Sequence, residues 1–214
     1  MGENARPAIA VLDYRMGNLR SMKTSLERAG ASVGIVTGPK GLEGADGLVL
    51  PGVGAFGPAM ANLAGQRLLD PVVEWVRADR PFLAVCVGMQ LMFEESEEDG
   101  RHRGLALVPG RVTRLPEGAK IPQMGWNTIE VAPRAAASVY ASALGRGGWF
   151  YFAHSYCAHA TDAGAVLATT TYGTEYASVV GTGRALGTQF HPEKSAHGGL
   201  EILRRFVAVA RGDE

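Results

Sequence analysis

Apolar residues fall into short runs and helical repeats that alternate through the first half of the chain. Ala8 to Leu12 is a short apolar run that ends in the polar turn Asp13-Tyr14-Arg15-Met16-Gly17-Asn18. Leu19, Met22, Leu26 and Ala29 then recur at helical spacing, and Gly30 closes the helix. Val33 to Val36 reads as a second strand. Gly47 to Leu50 reads as a third, stopped by Pro51-Gly52-Val53-Gly54. A helical stretch continues through Trp75, Pro81 to Val85 is a fourth apolar strand, and Gly88 to Glu95 reads as the helix after it. Strand–helix alternation with short connections predicts an α/β fold with a parallel, doubly wound sheet.

The second half changes period. Val112–Leu115, Thr128–Val131, Trp149–Ala153, Val166–Thr171, Ala177–Gly181 and Ala185–Gln189 are short, turn-bounded and rich in β-branched or aromatic residues. They predict an antiparallel or mixed extension of the same sheet, followed by a final amphipathic helix over Ala196–Ala210. The acidic run Glu94-Glu95-Ser96-Glu97-Glu98-Asp99 is the only charge block, and its plain reading is a solvated helix end.

Composition narrows the function classes. The chain has 214 residues, a length that suits one domain over 1–214, and 46% of them are hydrophobic, enough for a core without staples. Its 21 Lys and Arg balance 21 Asp and Glu, which argues against a broad nucleic-acid or anionic-membrane surface. No apolar run approaches the roughly 20 residues that cross a bilayer, and Met1–Pro7 lacks the apolar core of a signal peptide. Two cysteines, Cys86 and Cys157, are too few for a disulfide scaffold. These features predict a soluble, cytoplasmic protein.

The chemistry concentrates at Leu83-Ala84-Val85-Cys86-Val87-Gly88-Met89-Gln90, where an apolar strand runs into a helix with a cysteine at the junction. Such a turn is the cysteine analogue of a nucleophile elbow. It exposes the side chain at the carboxyl end of the sheet, at a helix N-terminus that favours thiolate. A buried structural cysteine is the plain alternative. Of five histidines, His191 has a partner signal: it ends the strand Ala185–Phe190, and Pro192 forces a turn that presents Glu193 beside it. Glu193 can accept the imidazole N–H and hold the ring in one tautomer. Pro51-Gly52-Val53-Gly54 ends a different parallel strand on the same sheet edge, where glycines let backbone N–H groups approach a developing oxyanion. An ordinary strand-end loop and a simple glycine turn are the competing readings of these two segments.

Together these pieces resemble the triad-type (class I) glutamine amidotransferases over essentially the whole chain. The resemblance is carried by DYRMGNLRS (13–21), LPGVGAF (50–56), CVGMQLMFEESEE (86–98), GLALVPG (104–110), PQMGWN (122–127), YFAHSY (151–156) and QFHPEKS (189–195). PGVG and MGWN separate the chain from the glutaminase parts of GMP, anthranilate and pyridoxal phosphate synthesis. They align it with glutaminase subunits that serve a separate cyclase in histidine biosynthesis. The resemblance implies Cys86 as nucleophile, His191 as acid and base, and Glu193 as its orienting partner. It implies an oxyanion hole at Gly52, Val53 and Val87, and a glutamine site at Gly54, Gln90, Glu98 and the Ser155–Tyr156 backbone. It further implies no cofactor or metal. The implied partner is a (β/α)₈-barrel cyclase, bound as a heterodimer through Asn18, Trp126 and Lys194. Ammonia passing to that barrel would convert the ribonucleotide PRFAR to imidazole glycerol phosphate and AICAR. Three positions depart from the family pattern: Ala84 and Arg15 stand at usual glycines, and Gln123 stands at a usual histidine.

Two other classes compete. One is a stand-alone cysteine hydrolase of the same architecture, acting on γ-glutamyl compounds. The other is a flavodoxin-like binding module using the turn at 13–18 for a phosphate, although that turn lacks a G-x-G-x-x-G or Walker pattern.

Overall fold

A computed structural model describes residues 6–213, so most of the Met1–Pro7 segment lies outside the described residues. In chain order the elements are β1 (Ala8–Leu12), α1 (Leu19–Arg28), β2 (Ser32–Val36), β3 (Gly47–Leu50), α2 (Phe56–Gly65), α3 (Leu69–Arg77), β4 (Phe82–Val85) and α4 (Val87–Leu91). They continue with β5 (Phe93–Ser96), β6 (His102–Arg103), β7 (Val108–Arg114), β8 (Gln123–Val131), α5 (Ala141–Leu144), β9 (Gly148–His154) and β10 (Tyr156–Ala160). β11 (Val166–Tyr172), β12 (Thr174–Thr182), β13 (Ala185–Thr188) and α6 (Ala196–Arg211) complete the fold.

The strands β2-β1-β3-β4-β13 run parallel in that spatial order. This is the flavodoxin-like doubly wound order, with β13 as fifth strand although it comes last in sequence. β3 and β4 are buried at every position, which explains why they read as unbroken apolar runs. α1 buries Met22 and Leu26, four positions apart on one face, and packs beside α6, which buries Ile202, Leu203, Phe206 and Val207. A contiguous cluster of buried apolar side chains reaches from Ile9 to Val209.

Beyond β13 the sheet turns antiparallel through β12, β10 and β7, while β5 joins β7 in parallel, making the extension mixed. β11 pairs with β12 and β8, and β8 pairs with β9. β10 and the start of β7 have no expected counterpart in the sequence pattern, and β8 begins earlier than Thr128, at Gln123.

Two local expectations fail. The helical stretch through Trp75 is two helices, broken at Gln66–Leu68, where Arg67 takes a φ of 58°. The helix after Cys86 stops at Leu91, and Phe93–Ser96 becomes β5 because fully buried Phe93 leads the chain into the β7 ladder. The acidic run is therefore not a solvated helix end. Glu94 accepts from Gly110 N–H at 2.8 Å, Glu97 from Arg114 N–H at 2.9 Å and Glu98 from Phe56 N–H at 2.7 Å. Those carboxylates tie β5 and the turn after it to β7 and to the start of α2.

Candidate active site

β4 delivers Cys86 to the carboxyl edge of the parallel sheet through a strained turn. Cys86 sits at φ 55° and ψ −113°, a conformation that costs a non-glycine residue about 1–3 kcal/mol and persists only where the surroundings hold it. Here its N–H donates to the Thr188 carbonyl at 2.7 Å, and its own carbonyl accepts from Gln90 N–H at 3.1 Å. Gly88 is required by close approach, because a Cβ there would lie 2.1 Å from the Leu50 carbonyl oxygen. A Cβ on Gly52 would likewise lie 2.4 Å from the Gly88 nitrogen. The turn after β3 and the turn after β4 thus meet backbone to backbone, and a side chain at either glycine would push them apart.

β13 delivers the base. The His191 N–H donates to the Tyr151 carbonyl at 2.9 Å, and the His191 carbonyl accepts from the Ser195 hydroxyl at 2.6 Å. In the ring, Nδ1 bonds Glu193 Oε1 at 2.9 Å, leaving Nε2 for the sulfur of Cys86. Both side chains of the His191–Glu193 pair are 3% exposed. Burial works against a charged imidazole, but the hydrogen bonds and negative charge of Cys86 and Glu193 outweigh it and push His191 up to about 10. These contacts therefore favour the protonated imidazole of His191 beside the sulfur.

A cavity of about 300 Å³ opens over the sulfur, at the small end of ligand sites and scaled to one amino acid. Its wall contains Val53 and Gly54 from the turn after β3, Val87 and Gln90 from α4, and Ser155 and Tyr156 from the β9–β10 junction. Val87 opens α4, so its N–H is a first-turn amide with no acceptor inside the helix. Gln90 Nε2 donates to the Tyr156 carbonyl at 2.8 Å, joining two sides of the cavity. Glu98 lies on the wall and bonds the first N–H of α2; burial raises its pKa, against the pull of that N–H. A wider groove of about 710 Å³ lies elsewhere, lined in part by Asp79, Arg134 and Asp162. No cysteine or histidine lines it, so size alone does not locate the chemistry.

Residues 10–210 match the family described as Glutamine amidotransferase class-I. The chain belongs to that family. Among its relatives is the imidazole glycerol phosphate synthase subunit HisH of Symbiobacterium thermophilum, 46% identical over 91% of each chain. The proteins of the same name from Moorella thermoacetica and Methanothermobacter thermautotrophicus are 44% and 43% identical, covering 95% of this chain and 95% and 99% of theirs. Among solved structures, PurLQS from Thermotoga maritima shares the fold with a TM-score of 0.76 at 17% identity, over 96% of this chain and 99% of that one. A second solved structure, of a glutamine amidotransferase, gives 0.70 at 22% identity, over 95% of this chain and 98% of that one.

The three departures from the amidotransferase pattern have local accounts. Ala84 is fully buried, and its ladder neighbour on β13 is Gly187, so no side chain stands beside its methyl on that strand. Arg15 keeps a glycine-like φ of 65°, with its N–H bound to Asp13 Oδ1 at 3.0 Å. Gln123 is buried and accepts from the Tyr176 hydroxyl at 2.9 Å; Tyr176 in turn touches His154 Nε2 at 3.2 Å.

Of the residues expected at a partner surface, Asn18 caps α1, accepting from Ser21 N–H at 3.3 Å, and is exposed. Trp126 is 50% exposed, and Lys194 is exposed at the cavity wall with its ammonium 5.8 Å from the Tyr151 ring centre. Cross-strand register places Met124 opposite Ala153, Trp126 opposite Tyr151 and Thr128 opposite Trp149, so these side chains share one face of β8–β9. Met124 at 68% and Trp149 at 63% extend that face of the amidotransferase, and neither was singled out by sequence.

Sequence reasoning also missed three groups near the sulfur. The Tyr14 hydroxyl donates to the Pro51 carbonyl at 2.6 Å, fixing the turn after β3. The Ala153 carbonyl lies 3.9 Å from Cys86 Sγ, and Gln189 Nε2 lies 3.8 Å from it. Gln189 carried a usable signal: two positions before His191 at a strand end, it shares that residue's side.

Proposed function

We propose that the chain is the glutaminase subunit of imidazole glycerol phosphate synthase, working as one domain over 1–214 in the cytoplasm. The Cys86 thiolate attacks the side-chain amide carbon of glutamine, forming a C–S bond and a tetrahedral oxyanion. Val53 and Val87 N–H groups receive that charge, with Gly52 giving the turn its close approach. His191 passes its proton to the amide nitrogen, the C–N bond breaks, and ammonia leaves a γ-glutamyl thioester. His191 then takes a proton from water, hydroxide adds to the thioester, and glutamate departs as the thiolate reforms. Glu193 keeps the ring in register throughout. Gly54, Gln90 and the Ser155–Tyr156 backbone hold the substrate, and Glu98 takes its ammonium.

Ammonia formed here passes to the cyclase subunit HisF, a (β/α)₈ barrel bound as a heterodimer. HisF uses it to convert PRFAR to imidazole glycerol phosphate and AICAR. Asn18, Trp126 and Lys194 belong to that contact. The cavity supports this reading because it opens beside the exposed Met124–Trp126 face rather than on a closed surface. The carrying observation is the line from Glu193 through His191 to Cys86 beneath a cavity of amino-acid size. In the reconstituted complex, Cys86→Ala is expected to abolish product formation from glutamine while product formation from added ammonia survives. Equal loss of both would contradict an ammonia donor, and rapid glutamine turnover by the isolated chain would favour the stand-alone hydrolase.

A further inference from the structure

One buried side chain touches the reacting sulfur and has no role in the mechanism above. Gln189 is fully buried, with Nε2 3.8 Å from Cys86 Sγ and Oε1 accepting from Gln90 Nε2 at 3.1 Å. The orientation of both amides follows from one carbonyl. Gln90 must present its NH₂ to the Tyr156 carbonyl, which can only accept, and the same NH₂ then meets Gln189. Gln189 must answer with its oxygen, so its own NH₂ faces the sulfur.

We infer that Gln189 is a further catalytic residue, its side-chain N–H stabilising the Cys86 thiolate while its carbonyl holds Gln90 against the substrate. An amide NH₂ donates strongly to a thiolate and only weakly to a thiol sulfur, and it cannot accept a thiol proton, so the contact favours the ionised sulfur. A thiol has a different partner, the Ala153 carbonyl. During acylation the sulfur loses its charge and this hydrogen bond weakens. It returns when the thioester is hydrolysed and thiolate is expelled, so Gln189 assists the second half of the reaction as well. The Gln90 half of the inference rests on the glutaminase reading; the sulfur half does not.

The test is the pH profile of Cys86 alkylation by iodoacetamide on the full chain, with the label located by peptide mass. His191 faces the sulfur with Glu193 behind it, and the buried Tyr14 and Tyr176 lie within electrostatic range of Cys86 while their hydroxyls donate to Pro51 and Gln123. His154, Glu98 and Lys194 complete the surrounding groups. All are retained in the variants. Cys157 is buried and its thiol is pushed up to about 12 by burial, so it serves as the unreactive control. Gln189→Met keeps the volume without the N–H. Its alkylation midpoint is expected to rise by about one pH unit, giving about tenfold slower labelling below both midpoints and an unchanged plateau at high pH. Gln189→Glu keeps the shape, faces the sulfur with a carboxylate, and is expected to move the midpoint further. Gln189→Leu, which lacks the N–H without adding charge, carries the test if the Met variant melts early, because the carboxylate would move the midpoint with or without the amide contact. Profiles that superimpose on wild type overturn the inference. Normal alkylation without glutamine turnover in the complex would instead count against the glutaminase reading.

Discussion

One methyl group at Gly52 probes the contact on which the site depends. An alanine Cβ would stand 2.4 Å from the Gly88 nitrogen, 2.9 Å from the Tyr14 hydroxyl and 2.9 Å from Val87 Cβ. Ordinary contact begins near 3.4 Å, so the turn after β3 and the Cys86 elbow must separate by about 1 Å. Neither side is the tip of a flexible chain. Overpacking of this kind costs about 1–3 kcal/mol, which for a chain of this size lowers Tm by roughly 2–4 °C per kcal/mol. The catalytic loss is expected to be larger, because the same 1 Å displaces Val53 relative to Val87 and Cys86. Misplacement on that scale costs about 100-fold. Gly34→Ala provides the comparison: no atom lies within 4 Å of a Cβ there, so its stability is expected to stay within about 0.5 kcal/mol of wild type. Thermal melts with glutaminase assays of the reconstituted complex measure both quantities. Wild-type melting and turnover in Gly52→Ala would refute the claim that these turns meet at van der Waals limits.

Tyr14→Phe removes the buried bond to the Pro51 carbonyl and leaves that acceptor unsatisfied. Destabilisation of about 1–3 kcal/mol is expected in denaturant titrations, with slower glutaminase turnover because the turn loses its anchor. His154 is held neutral to about pH 4 by burial and by the positive charge of His191, although its bond to the Tyr156 carbonyl pulls the other way. An unfolded histidine takes its proton near 6.5, so between about 6.5 and 4 the unfolded state binds more protons and stability falls as pH falls. The loss attributable to His154 is roughly 3 kcal/mol across that window and nil above it. Denaturant midpoints of wild type and His154→Gln at pH 7 and 4.5 are expected to differ in slope accordingly, and parallel behaviour would contradict a neutral His154.

Legibility followed the range of the interactions. β3 and β4 were readable because strands buried on both faces are unbroken apolar runs. Cys86 and the His191–Glu193 pair were readable because each is local: a strand-to-helix junction, and two residues across one turn. β5 was not, since Phe93 is its only apolar residue and its pairing with β7 is a tertiary event. The acidic run looked solvated because the N–H groups it accepts from lie up to 42 positions away. Tyr14 and Gln189 were missed for the same reason, reaching Pro51 over 37 positions and Cys86 over 103.

The triad is tested most directly by acid-quenching the reconstituted complex during glutamine turnover and measuring peptide masses. A γ-glutamyl adduct is expected on the peptide carrying Cys86, increased in Glu193→Gln if thioester hydrolysis slows more than acylation, and absent from Cys157. Turnover with no adduct at Cys86, or with the adduct elsewhere, would contradict the account.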